Sequence, residues 1–256
     1  MHLGIEVGWW KLSRILEVEM IEEARIESLR VGMPRELGRA GAEQPMERPW
    51  RTGFVKEEVR GALWLDWENF EGDGQADRKH HGGVEKAVCV YPTAHLAYWS
   101  KRLGRRLTPG AFGENLSVSG RVEEDVCVGD VYRVGGARLR VTQPRSPCWK
   151  LARVHGERAF ALWVQQTGYC GWYFGVVERG YVEAGQTLEL VERPFPQWSV
   201  AEVHAVRYHR PEDLEAATLL AGCPALSRTW REALEKRLAR GEEGDEARRL
   251  IGPNGG

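Results

Sequence analysis

The stretch DVYRVGGARLRVTQPRSPCWKL, Asp130 to Leu151, decides how the fold is read. Two strand-like runs, DVYRV (Asp130–Val134) and ARLRVTQ (Ala137–Gln143), flank Gly135-Gly136, a hairpin signal because both glycines tolerate positive φ. Beyond the second run, Pro144 and Pro147 restrict the backbone of the residues before them, so the chain leaves the strand in a stiff loop that presents Cys148.

Outward from this hairpin, Ala24–Val31 and Thr52–Trp67 carry short, partly alternating apolar runs that read as half-buried strands, with Gly32–Arg51 as a loop between them. EKAVCVY (Glu85–Tyr91) reads as an apolar strand, and Pro92 opens a helix ending near Gly104. ENLSV (Glu114–Val118) is a further strand, and GWYFGVVERG and QTLELVER read as a pair around a turn near Gly185. Many short strands with closely spaced turns predict a mainly β fold, a closed barrel or sandwich. After Pro194 the pattern becomes helical. Pro211 to Asp213 predicts a helix start and Gly222 its stop, Ser227 caps a second helix with Trp230, Leu234 and Leu238 every four residues, and Asp245 starts a third. Between Arg207 and Arg249, nine basic and nine acidic residues make this a mixed-charge, solvated three-helix unit.

Composition narrows the function classes. The chain has 256 residues, 42% hydrophobic and 29% charged, and a formal net charge of -1. It therefore buries a sizeable core and lacks the charge of a wholesale nucleic-acid binder. The best apolar run, Ala87–Trp99, is broken by Pro92, Thr93 and His95, so no membrane span is expected. The first twenty residues have no basic region followed by a continuous apolar run, which predicts a cytoplasmic protein. Five cysteines form no CxxC pair and are expected as reduced thiols.

Three segments carry candidate chemistry. The first is the Cys148 loop. Arg133, Arg138, Arg140, Arg145, Lys150, Arg153 and Arg158 against Glu157 alone make the surrounding sequence strongly positive, which favours a thiolate as nucleophile or metal ligand. The bland reading is a small buried hydrophobe among solvated arginines. The second, Glu71–Val88, offers Asp73, Asp77, His80 and His81 to a divalent metal, or its glycines to a phosphate; the bland reading is a polar turn with one structural histidine. The third, Pro109–Gly120, places Asn115 at the mouth of a strand, where it can read a heterocycle edge or simply hold a turn. The eleven scattered tryptophans read as core rather than as base-stacking platforms.

Taken together, GDGQADRKHHGGVEKAV, YPTAHLAYW, GAFGENLSVSG, VGDVYRVGGARLRVTQPRSPCWKL and TGYCGWYFGVVERGYVEAG resemble, in order and spacing, the MOSC-domain proteins of the YiiM type. The helical tail LLAGCPALSRTWREALEKRL resembles the three-helix extension of the same proteins. The resemblance implies a closed MOSC-type β-barrel over residues 25–195 and a C-terminal three-helix unit over 196–256. Residues 1–24 lie outside it, as an extension or with Met20 as the true start. It also implies binding of the molybdenum cofactor in its pterin form (Mo-molybdopterin), with Cys148 as ligand to the metal. The expected activity is reduction of small N-hydroxylated compounds, such as N-hydroxylated purine bases, to amines, with electrons from a separate flavoprotein.

On the same resemblance, Lys56 is expected at the cofactor phosphate and Gln75, His81, Asn115 and Arg145 along the cofactor cleft, with Asp77 and His80 orienting the loop. The rival expectation is a sulfur-transfer or cofactor-carrier protein using Cys148 as acceptor, because the fold serves both functions. Bulk nucleic-acid and membrane partners are not expected, and a homodimer is compatible with the sequence.

Overall fold

The computed structural model describes residues 23–241 and 245–254, so the expected N-terminal extension lies outside the described residues except for Glu23 and Ala24. The strands are β1 (Arg25–Val31), β2 (Arg35–Leu37), β3 (Trp50–Thr52), β4 (Glu57–Glu58), β5 (Leu63–Leu65), β6 (Val88–Pro92), β7 (Leu116–Ser119), β8 (Val131–Val134), β9 (Ala137–Pro144), β10 (Trp172–Glu178), β11 (Gly180–Val182) and β12 (Glu189–Glu192). The helices are α1 (Arg78–His81), α2 (Leu96–Leu103), α3 (Trp149–His155), α4 (Phe160–Thr167), α5 (Val200–Tyr208), α6 (Leu214–Ala221), α7 (Arg228–Arg240) and α8 (Glu246–Leu250).

Eight strands form one sheet in the order β12-β8-β9-β10-β6-β7-β1-β4. The hairpin forms as expected, with Val134 opposite Ala137. Of its two glycines only Gly135 takes a positive φ, which excludes a type I′ turn. In β9, Ala137, Leu139 and Val141 point into the core while Arg138 and Arg140 point away, the period-two signature of a half-buried strand. From Val141 to Pro144 every residue is buried, because this end of the strand runs beneath helices.

The expected closed barrel is corrected: the sheet is curled but open, and among the described residues β12 and β4 are its edges. Register shifts in β1/β7, β9/β10 and β8/β12 bend the strands toward closure. The two sides of the sheet approach each other where β1 bonds to the chain just before β12, through an isolated bridge of Arg25 with Thr187 rather than a full strand pairing. Gly185 N–H donates to Ile26 O at 2.7 Å and Leu188 N–H to Ala24 O at 2.8 Å. β10 and β12 do not pair with each other as expected: β10 lies between β9 and β6, and β12 pairs β8. The stretch 32–51, expected as loop, contains the β2/β3 hairpin. β6 and β7 are parallel, which the crossover through α2 makes possible.

One core joins Leu139, Val141, Trp172 and Phe174 of the sheet to Val203, Val206, Leu220, Trp230 and Leu234 of the C-terminal helices. A second cluster packs Tyr91, Trp99, Phe112, Leu151 and Phe160 under α2, α3 and α4. Trp99, Trp172 and Trp230 are fully buried, so these tryptophans serve the core. The helical unit begins within the expected bounds but holds four helices, α5 to α8, one more than the three expected. Ser199, whose side chain accepts from Glu202 N–H, caps α5; the S-x-x-E pattern Ser199–Glu202 behind Pro196 was the available signal for this helix. Asp213 caps α6 and Asp245 caps α8, while Ser227 stands at the cap position of α7 without a side-chain bond. Among the described residues no helix is long and apolar enough to cross a membrane.

Candidate functional site

The ends of β9 and β10 meet α1 and α3 at a cleft of about 840 Å³, walled on its far side by α7 and α8. A smaller cavity of about 70 Å³ adjoins it, the two sharing His81, Lys86, Lys150 and Tyr173. The helical unit is fastened beside this cleft, where Ser227 N–H donates to Thr142 O and Arg228 N–H to Glu85 Oε1, each at 2.9 Å.

Cys148 stands at the N-cap position of α3 with extended backbone, and its side chain lines the larger cleft while remaining 8% exposed. The stiffness expected of the loop has a further cause, since Arg145 N–H continues the sheet ladder to Gly171 O at 3.0 Å. Sγ of Cys148 lies 4.0 Å from Nε2 of His81, the last residue of α1. Burial, reinforced by the positive charge of Lys150, pushes the His81 imidazole down to about 3, so the ring is neutral at physiological pH. Two cations flank this pair. Lys150 follows Cys148 by two residues and is buried; Lys86 precedes β6, donates to His80 O at 3.0 Å, and has its ammonium pushed down by burial.

Among the described residues, two buried polar atoms at these cavities have no hydrogen-bond partner: Oε1 of Gln143 and Nη1 of Arg145. Gln143 lines the larger cleft and Arg145 the smaller cavity. Such orphans cost on the order of 1–3 kcal/mol each, so two adjoining cavities, one with an unpaired acceptor and the other with an unpaired donor, are chemically suited to a polar ligand.

The structure distributes the sequence-derived residues unevenly. His81, Arg145 and Cys148 come together at the two cavities, and Gln75 lines the smaller one, where its Nε2 donates to Asn69 Oδ1. Lys56 lines neither cavity; its ammonium forms a buried ion pair with Asp73. Asn115 borders the smaller cavity, but both ends of its amide are engaged. Oδ1 accepts from Cys89 N–H at 3.0 Å, and Nδ2 donates to Asp73 Oδ2 at 2.9 Å and Arg30 O at 3.1 Å. Asn115 therefore joins sheet to loop rather than reading a heterocycle. Asp77 caps α1 and bonds the His80 ring at 2.8 Å. With Asp73 and Asp77 so occupied, the divalent-metal alternative for this loop is not assembled, and no cluster of three metal-ligating side chains occurs among the described residues. Sequence reasoning counted Lys150 only as part of the positive surroundings of Cys148 and missed Gln143, Lys86 and Tyr173 as candidate site residues. Tyr173 faces Gln143 across the β9/β10 ladder, a pairing that the sequence alone does not display.

A curled mixed sheet with a cysteine at the mouth of a cationic cleft, followed by the C-terminal helices α5 to α8, defines the class. Residues 77–189 match the MOSC domain, and residues 198–241 the YiiM-like 3-alpha helix domain. The chain belongs to the MOSC-domain family of the YiiM type. It is 44% identical over 219 residues to the uncharacterized protein YflK of Bacillus subtilis, covering 86% of this chain and 96% of that one. Its identity to YiiM of Escherichia coli is 38% over 204 residues, covering 78% and 91%. A protein of Gibberella moniliformis named Reductase is 36% identical over 185 residues, 70% of this chain but 32% of that one. The crystal structure of YiiM from Geobacillus stearothermophilus superposes with a TM-score of 0.70 at 36% identity, covering 84% of this chain and 99% of that one.

Proposed function

We propose that the cleft binds the molybdenum cofactor and that the protein is a cytoplasmic reductase of N-hydroxylated compounds, N-hydroxylated purine bases among them, with Cys148 as the protein's ligand to the metal. The observation that carries this reading is the placement of the Cys148 thiol on the same cleft as Lys86, Lys150 and the unpartnered Gln143 Oε1, with Arg145 Nη1 in the adjoining cavity. These groups fit the cofactor: the thiol suits a soft metal, the ammonium groups suit a phosphate, and the orphaned acceptor and donor suit the edge of a pterin. MOSC membership and the relative named Reductase support a redox activity.

When bound, the cofactor supplies the two-electron chemistry, with the overall change R–NHOH + 2 e⁻ + 2 H⁺ → R–NH₂ + H₂O. The residues present bind and orient. Lys86 and Lys150 neutralise the phosphate, while Arg145 and Gln143 fix the heterocycle through the atoms now unpaired. His81, neutral and beside the thiol, orients Cys148 without competing for it electrostatically. Lys56 and Asn115 act one step back, by holding Asp73 and the loop that carries Gln75. The electrons come from a separate flavoprotein. The test is turnover of an N-hydroxylated purine by cofactor-loaded protein with such a donor. Amine production is expected, whereas loaded protein that produces no amine but takes up sulfur on Cys148 overturns the reductase reading in favour of sulfur transfer.

A further inference from the structure

The residues around Cys148 are held by the C-terminal part of the chain, one after another. Ser146 Oγ and Tyr208 Oη, on α5, are 3.0 Å apart. The carbonyl of Pro147, the residue directly before the thiol, accepts from Nη1 of Arg249 on α8. Trp149, directly after it, lies under Gly252, where a Cβ would come within 2.4 Å of the indole Cδ1. Gly252 has φ +52, a conformation that favours glycine and allows this close approach.

Arg249 is itself fixed from several sides. Nη2 donates to Gln165 Oε1 of α4 and to Glu246 Oε1 at 3.1 Å, and the guanidinium lies 5.1 Å over the Tyr208 ring. Its planar fork thus ties α8 to α4 and to the Pro147 carbonyl through two different nitrogens held in fixed geometry, whereas an ammonium's donors all radiate from one nitrogen on a flexible stem. The region matching the YiiM-like 3-alpha helix domain ends at residue 241, and the clamp lies beyond it.

We infer that Arg249 is a positioning residue for Cys148, and that Asp245–Asn254 works as a strap fixing the direction in which the thiol faces the cleft. The inference uses the proposed function only in taking Cys148 as the functional thiol, and its test needs neither cofactor nor turnover.

The full-length, cofactor-free protein is treated with iodoacetamide, and alkylation is followed by mass spectrometry peptide by peptide. The other cysteines, Cys89, Cys127, Cys170 and Cys223, are all buried and serve as internal controls. In Arg249→Ala the Cys148 peptide is expected to react about tenfold faster, the size of one lost charge-assisted hydrogen bond, with the four controls unchanged. Arg249→Lys should fall between the variant and the wild type. Unchanged Cys148 reactivity in Arg249→Ala overturns the inference. So does a parallel rise at all five cysteines, which would mean that Arg249 merely holds the fold together. Absence of molybdenum from wild-type protein would count against the cofactor reading and leave this result standing.

Discussion

Asn115 and Asp73 are joined at 2.9 Å from Nδ2 to Oδ2, a buried contact between β7's entry and the glycine-rich loop that carries Gln75. The other oxygen of Asp73 takes Gly32 N–H at 2.9 Å and the Lys56 ammonium. Asp73 is thus the centre of a saturated buried network.

Asp73→Ala is therefore expected to destabilise the protein strongly, by about 3–5 kcal/mol, because it leaves the buried Lys56 charge unpaired together with two orphaned donors. Lys56→Met should cost less, since the carboxylate keeps the Gly32 and Asn115 donors. Urea denaturation of the two variants checks the order; equal losses would contradict the network.

Acid sensitivity follows from buried histidines. His204 is 1% exposed, and burial first, with positive neighbours such as His209, Arg249 and Arg207 adding to it against the bond to Gln165 O, pushes it down to about 4. The folded state thus favours the neutral ring, while the unfolded chain takes up a proton below its ordinary value near 6.5. The stability this provides is complete above about pH 6.5 and is lost as pH falls toward about 4, amounting to about 3 kcal/mol. Thermal denaturation across this window should show the slope, and His204→Gln should flatten it.

The cations of the cleft should separate from the structural lysine. Lys150→Met and Lys86→Met are each expected to weaken cofactor retention about tenfold with little change in Tm. Pterin retained after gel filtration measures this, and undiminished retention in both variants would remove them from the phosphate site.

The hairpin at Gly135-Gly136, the Cys148 loop and the caps at Asp213 and Asp245 were legible in sequence because each rests on local chemistry: backbone freedom, proline stiffness, or a side chain bonding its own helix start. What stayed hidden depends on distant partners. Nothing local in Lys56 announces Asp73, and nothing in Gln143 announces that its Oε1 is left unpaired at a cleft. The strand order was likewise illegible, because it depends on pairings between distant segments, such as β12 with β8 and β1 with β7. Helices α3 and α4 sit between strands rich in the same apolar residues. Gly156 and Gly168, at their C-cap positions with positive φ, were the available signals.

We propose that Cys148 holds a molybdenum cofactor in this cleft. The most direct test is the molybdenum and pterin content of wild-type and Cys148→Ser protein expressed in a cofactor-competent host, with circular dichroism on both. Near-stoichiometric metal and pterin in the wild type, and a loss of most of the metal in a Cys148→Ser protein that remains folded, is the predicted result. Equal metal in both proteins, or none in well-folded wild type after incubation with free cofactor, would contradict it.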